Sequence, residues 1–165
     1  MKIRVVFGEM GAGKSYTGAL LAQRMGNAQY IEGDDFLPIV LKKKVEELKP
    51  LTWMDVDTFI RTALLPAMLE IARKKKDTVI SQALYNRKHR ALIETELKAA
   101  GVDVVFYYVK PASFRSHLNV LLKREKGLRW IFIMLLSRPW FEKPDHNTRT
   151  IHNDFLSDPV LPADP

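Results

Sequence analysis

Residues 8 to 15 read Gly8-Glu9-Met10-Gly11-Ala12-Gly13-Lys14-Ser15, a complete G-x-x-x-x-G-K-[ST] pattern. In such a loop the glycines let the backbone curl until successive N–H groups converge on an anion, at the positive end of the helix that follows. Lys14 offers a point charge for β- and γ-phosphates, and Ser15 a hydroxyl for the Mg²⁺ that accompanies them. Gly8, Met10, Gly11, Ala12, Gly13, Lys14, Ser15 and Tyr16 are the expected cradle for a triphosphate, with ATP and Mg²⁺ as the implied cofactors. The loop follows the β-branched run Ile3–Phe7 and precedes a helical stretch, Ser15–Met25. That strand–loop–helix setting separates a phosphate site from a chance glycine turn.

Three further segments carry usable chemistry. Glu32-Gly33-Asp34-Asp35 follows a second apolar run, so an acid here could orient or deprotonate a hydroxyl. Asp34 is the favoured residue, with a second use as a Mg²⁺ ligand through water; Asp35 and then Glu32 come after it. The plainer alternative is a capping turn before Phe36-Leu37-Pro38. Arg87 and Arg90 open a helix after the third apolar run, where a guanidinium could grip a substrate carboxylate or phosphate. His89 between them reads as a surface histidine. In Lys123–Arg129, Arg124 and Arg129 fall where a closing lid would bring cations to a transferring phosphoryl group, the alternative being a basic helix end. The third run, Thr78–Ser81, ends without an acid, which counts against a motor or GTPase.

Positioning these groups requires strands whose carboxyl ends share one edge, because ligands of open α/β sheets bind there. Expected strands are Ile3–Phe7, Gln29–Ile31, Thr78–Ser81, Val102–Val109 and a weakly marked Arg149–His152. Helices are expected over Ser15–Met25, Ile39–Leu48, Val56–Lys75, Arg87–Ala100, Ala112–Lys123 and Trp130–Ser137. Pro66 should kink or split the third helix, and Gly101 should stop the fourth. Strands alternating with helices imply an α/β fold, a parallel sheet covered on both faces.

The 165 residues, 47% of them hydrophobic, suit one globular domain. The longest apolar stretch, Trp130–Leu136, is far short of a membrane span, and no signal peptide is recognisable. Without cysteine there is no disulfide framework or thiolate site, which favours a cytoplasmic location. Much of the net charge of +7 lies in Lys42–Lys44 and Arg73–Lys76, runs without interleaved aromatics, so nucleic acid is disfavoured as a partner. The tail from Ser157 carries three prolines and reads as irregular or mobile.

The chain resembles the small-molecule kinases of the shikimate and gluconate kinase group, nearest to gluconate kinase. Glu32-Gly33-Asp34-Asp35-Phe36-Leu37-Pro38 is similar to that family's Asp-Gly-Asp-x-x-His-Pro, with Asp34 in the position that meets the acceptor hydroxyl. Pro50-Leu51-Thr52-Trp53-Met54-Asp55 resembles its Pro-Leu-x-Asp-x-Asp, retaining Asp55 as a substrate residue. Gln82-Ala83-Leu84 through Arg90 is similar to Ser-Ala-Leu-Lys…Tyr-Arg, and Leu135–Pro144 loosely matches Leu-x-x-Gln-Phe…Leu-Glu-x-Pro. Leu37 stands where the family has histidine, Val56 where it has arginine, and Tyr85 where it has lysine. Gly127-Leu128-Arg129 replaces Gly-His-Phe, and no closing helix follows the last strand.

The resemblance implies a three-layer, doubly wound, five-stranded P-loop kinase domain of the nucleoside-monophosphate-kinase type over residues 1–156. A lid is expected near 123–138 and an irregular tail over 157–165. It implies transfer of the γ-phosphate of ATP to a hydroxyl of a small, polar, anionic metabolite such as a gluconate-like sugar acid. The assigned roles are Lys14, Asp34 and Arg124 in catalysis, Arg129 on ATP, Asp34, Asp55, Arg87 and Arg90 on the acceptor, and Ser15 and Asp34 on Mg²⁺. Neither a nucleoside, nucleotide or polynucleotide kinase nor a nucleotide-binding regulatory module is excluded by these residues. No membrane partner is expected, and a homodimer is compatible with the sequence.

Overall fold

In the computed structural model, which describes residues 1–145 and 147–162, five strands form one parallel sheet in the order β2-β3-β1-β4-β5. They are β1 (Lys2–Phe7), β2 (Gln29–Glu32), β3 (Thr78–Gln82), β4 (Asp103–Pro111) and β5 (Arg149–Asn153). All five coincide with expected runs. Alternation along β1 sends Ile3, Val5 and Phe7 into one core and Val6 into another, as a sheet covered on both faces requires. On the first face lie α4 (Leu65–Arg73) and α5 (Arg87–Ala99), through Met68, Ile71, Ile93 and Leu97. On the second lies α1 (Lys14–Arg24), through Leu21 and Ala22. The remaining helices are α2 (Ile39–Glu46), α3 (Trp53–Phe59), α6 (Phe114–Leu122) and α7 (Gly127–Ser137).

The helix expected over 56–75 differs most. It starts at Trp53, because Thr52 and Asp55 form a reciprocal cap: the Asp55 N–H donates to Thr52 Oγ1 at 3.1 Å, and the Thr52 N–H to Asp55 Oδ2 at 2.9 Å. Residues Ile60–Leu64 then widen into a single π turn, and Pro66 falls in the first turn of α4. Proline has no N–H to donate and its ring presses on the carbonyl one turn back, so the wider turn passes it without breaking the helix. At the other expected breaker, the Gly101 N–H donates to the Lys98 carbonyl and the Val102 N–H to the Leu97 carbonyl, both at 2.9 Å, closing α5 with a Schellman turn. Helix α7 begins at Gly127, three residues before the expected Trp130.

Through Pro162 the tail contains no helix or strand, but it is held. Leu161 is buried in the second core, Arg24 donates to its carbonyl at 3.4 Å, and the Tyr16 hydroxyl donates to Asp158. The tail residues 163–165 lie outside the described residues. Among those described, no helix is long and apolar enough to cross a membrane.

Candidate active site

The phosphate loop joins β1 to α1 at the carboxyl edge of the sheet. Gly13 is the N-cap of α1 with φ 89°, and no side chain caps the helix, so its first N–H groups remain for a ligand. Neighbours fix the loop from three sides. Tyr85 Oη accepts from the Met10 N–H at 2.8 Å, His117 Nε2 donates to the Met10 carbonyl at 2.6 Å, and Asn153 Nδ2 donates to the Ala12 carbonyl at 3.0 Å. Burial lowers the His117 pKa, which suits a neutral ring donating through Nε2. Gly8 packs against the Val109 carbonyl, 2.6 Å from where a β-carbon would sit.

Lys14 reaches into a cavity of about 500 Å³ that Met10, Gly11, Ser15, Glu32, Asp34 and Arg124 also line. Its Nζ donates to the Glu9 carbonyl at 3.0 Å. Burial pulls the ammonium down to about 8, opposed by Asp34 and reinforced by Arg124. Asp34 sits in the 3₁₀ turn Gly33–Phe36. Desolvation by the surrounding walls raises its carboxyl above the ordinary value, against the pull of a Gln82 hydrogen bond and the Lys14 charge. A carboxylate with a raised pKa beside the phosphate loop is suited to take a hydroxyl proton.

Glu32, placed last of the three acids in the sequence, is the most connected. Ser81 Oγ donates to Glu32 Oε2 at 2.6 Å, the Tyr30 hydroxyl donates to Oε1, and Ser15 bonds it as well. Burial alone would raise its carboxyl, but these bonds and Lys14 hold it below the ordinary range. The β2–β3 register pairs Glu32 with Ser81, so an acid from β2 stands beside the strand end that lacks one. Among the described residues no three His, Cys, Asp or Glu side chains gather as a metal cage. The Ser15 hydroxyl beside the Glu32 carboxylate nevertheless fits Mg²⁺, which takes few protein oxygens and keeps water and phosphate oxygens for the rest.

Several expected acceptor and lid residues lie elsewhere. Arg90 is 2% exposed and spans the start of α5 and the segment after Trp140. It donates to the carbonyls of Leu84 at 2.9 Å, Tyr85 at 3.3 Å, Glu142 at 3.3 Å and Lys143 at 3.0 Å, with Nε 3.6 Å from Asp145. Arg87 pairs with Asp145 at 2.5 Å, and both arginines border a separate depression. Asp55 is taken up by the α3 cap and by Lys44 at 2.9 Å, which holds its carboxyl below the ordinary range. Arg87, Arg90 and Asp55 are thus engaged in structural ties, and none of them lines the cavity. Arg129 is exposed and outside the cavity, whereas Arg124 lines it with its guanidinium 5.6 Å from the Trp130 ring. The Tyr16 side chain faces the tail, leaving only its backbone for a phosphate.

No protein family model matches the chain, and no curated protein sequence matches it. Solved structures do. A gluconokinase from Sinorhizobium meliloti 1021 aligns with a TM-score of 0.72 at 22% identity, over 92% of this chain and 82% of that one. A sugar kinase from Janibacter sp. HTCC2649 gives 0.71 at 20%, over 93% and 84%. The chain has the P-loop kinase fold. The APS kinase CysC of Mycobacterium tuberculosis, solved with AMPPNP and APS, shares this P-loop kinase fold at 0.64 and 18% identity, over 93% and 88%.

Some features had no local signal in the sequence. His89 is buried, not a surface histidine: its Nε2 meets Asp57 Oδ1 at 2.9 Å and its ring stacks on Trp53 with centroids 6.1 Å apart. The two partners lie 32 residues apart on different helices, so spacing could not reveal them. Tyr85 was visible as a departure from the resembling family, and its hold on Met10 gives that departure a role.

Proposed function

We propose that this protein is an ATP-dependent phosphotransferase acting on a hydroxyl of a small molecule in the cytoplasm. The observation that carries this reading is the convergence of Lys14, Asp34 and Arg124 on one cavity at the carboxyl edge of the sheet. Backbone N–H groups at the start of α1 and the Lys14 ammonium would hold the β- and γ-phosphates. Mg²⁺, held by Ser15 with Glu32 behind it, would neutralise charge on the transferring group when bound. Asp34 would orient the acceptor hydroxyl and take its proton. Arg124, with segment 123–138 acting as a lid, would complete the charge around the γ-phosphate and limit water.

A gluconate-like sugar acid, the acceptor that the sequence resemblance favours, would call for a cation on the acceptor side. Arg87 and Arg90 are engaged elsewhere, so the resemblance alone supports that choice. The test of phosphotransfer is ADP release across a panel of sugar acids, shikimate-like acids, nucleosides, nucleotides, aromatic alcohols and 5′-hydroxyl oligonucleotides. At least one acceptor should raise the rate above the acceptor-free value, and Lys14→Ala should abolish the gain. No gain with any acceptor, together with no effect of Lys14→Ala on ATP binding, removes the proposal.

A further inference from the structure

Beyond the phosphate side, the cavity wall is mostly apolar. Leu51, Trp53 and Val56 come from the α2–α3 segment, and Trp130, Ile133 and Trp140 from α7 and the turn after it. All three tryptophans of the chain line this one cavity. Leu37 and Val56, the two positions where the resembling family carries histidine and arginine, line it too. Among the described lining residues the lysines and arginines are Lys14, Arg124 and Lys49. Lys14 and Arg124 belong to the phosphate side, and Lys49 pairs with Glu47 at 2.6 Å.

Gln82 and His89 also line the cavity, but their unpartnered Oε1 and Nδ1 atoms have almost no accessible surface, Gln82 Oε1 being packed on Gly33. Their residues are 8% and 2% exposed. The Gln82 amide N–H₂ serves Asp34, leaving Oε1 as an acceptor. His89 Nε2 meets the Asp57 carboxylate, which can only accept, so that ring nitrogen carries a proton. An incoming carboxylate would meet on this wall, among the described residues, a single cation, Lys49, already paired with Glu47.

We propose that the acceptor is a neutral alcohol with a flat aromatic body, packed against the apolar wall that carries Trp53, Trp130 and Trp140. This rests on the phosphotransferase reading and names its substrate class. The acceptor oxygen forms a bond to the γ-phosphorus, and the bond from that phosphorus to the β–γ bridging oxygen breaks, its electron pair leaving on ADP. The hydroxyl proton passes to Asp34 and then to solvent. Two sources share this chemistry, nucleosides and non-nucleoside aromatic alcohols.

The test uses the full chain with ATP and Mg²⁺, following ADP release and phosphorylated product with thymidine, adenosine, tryptophol and 4-nitrobenzyl alcohol. D-gluconate, shikimate and thymidine monophosphate are the anionic arm. Saturable turnover with a neutral aromatic alcohol, at a KM at least tenfold below that of any anionic acceptor, is expected, and the active probe identifies the source. Trp53→Ala should raise that KM roughly tenfold, from lost stacking and burial, and Trp53→Phe should restore most of it. Quenching of the native tryptophan emission by 4-nitrobenzyl alcohol reads binding directly, whether or not Trp53→Ala folds. Turnover of gluconate, shikimate or thymidine monophosphate without binding or turnover of the neutral alcohols overturns the substrate class and leaves phosphotransfer standing. Absence of ATP binding overturns both.

Discussion

Lys14 links ATP affinity to pH with a sign that can be worked out. Burial holds its pKa at about 8 in the free protein. A bound triphosphate brings negative charge to the ammonium, so the pKa returns towards the ordinary lysine value of about 10.4 in the complex. The group is then charged in about nine-tenths of free molecules at pH 7 and about one-tenth at pH 9. Because the complex needs the charged form throughout this window, affinity is highest below pH 8 and is lost as pH rises through it. The loss is about tenfold between pH 7 and pH 9, or about 1.4 kcal/mol. The complex should take up about half a proton at pH 8 and about nine-tenths of one at pH 9. Calorimetry at each pH in two buffers of different ionisation enthalpy measures that uptake. Lys14→Arg, whose guanidinium does not titrate here, supplies the comparison. Equal uptake by wild type and Lys14→Arg at pH 9, or none by wild type, would refute the argument.

Three other outcomes follow from the site geometry. Asp34→Asn should lower acceptor-dependent ADP release roughly 10²- to 10⁴-fold, while ATP affinity by equilibrium dialysis moves less than about threefold; a tenfold loss of ATP affinity would assign Asp34 to the metal. Arg90→Leu strips the donors from four carbonyls and one carboxylate and should destabilise the fold by about 3 kcal/mol, a melting shift of about 6–12 °C. Acceptor KM per folded molecule should not change, and a KM rise without a melting shift would return Arg90 to the substrate side. Gly13→Ala puts a β-carbon 2.2 Å from Asn153 Nδ2 at a backbone φ of 89°. It should lower the melting temperature and weaken ATP binding at least about tenfold, since strain at such a residue costs about 1–3 kcal/mol; an unshifted melt and affinity would deny the Asn153 clamp.

The sheet and the phosphate loop were legible because their signals are local. Apolar runs of strand length recur between helical stretches, and the loop motif is contiguous, so all five strands and the Lys14–Ser15 turn follow from neighbours along the chain. Helix starts were less legible where the cap decided them: Thr52 and Asp55 begin α3 three residues before the apolar periodicity suggests. The acceptor side was the hardest to read. Arginines at the opening of a helix looked like ligands, but a guanidinium with several carbonyls in reach serves equally as a buried tie, and sequence carries no record of which carbonyls approach. The same holds for Asp57 and His89, which meet only after α3 and α5 have packed. Glu32 carries little local signal because the hydroxyls that hold it come from β3 and the phosphate loop as well as from its own strand.

The π turn at Ile60–Leu64 makes this stretch tolerant of a change in length. A π turn is an α-helix carrying one surplus residue, so deleting a single residue there would let the backbone close into a continuous α-helix. The facing of α3 towards the cavity and of α4 towards the sheet would both be kept. The same deletion within α4 would turn Met68 and Ile71 out of the core by roughly 100°. Single-residue insertions and deletions should therefore accumulate in this segment before anywhere else in the helical layer, a point at which chain length can drift while the architecture stays fixed.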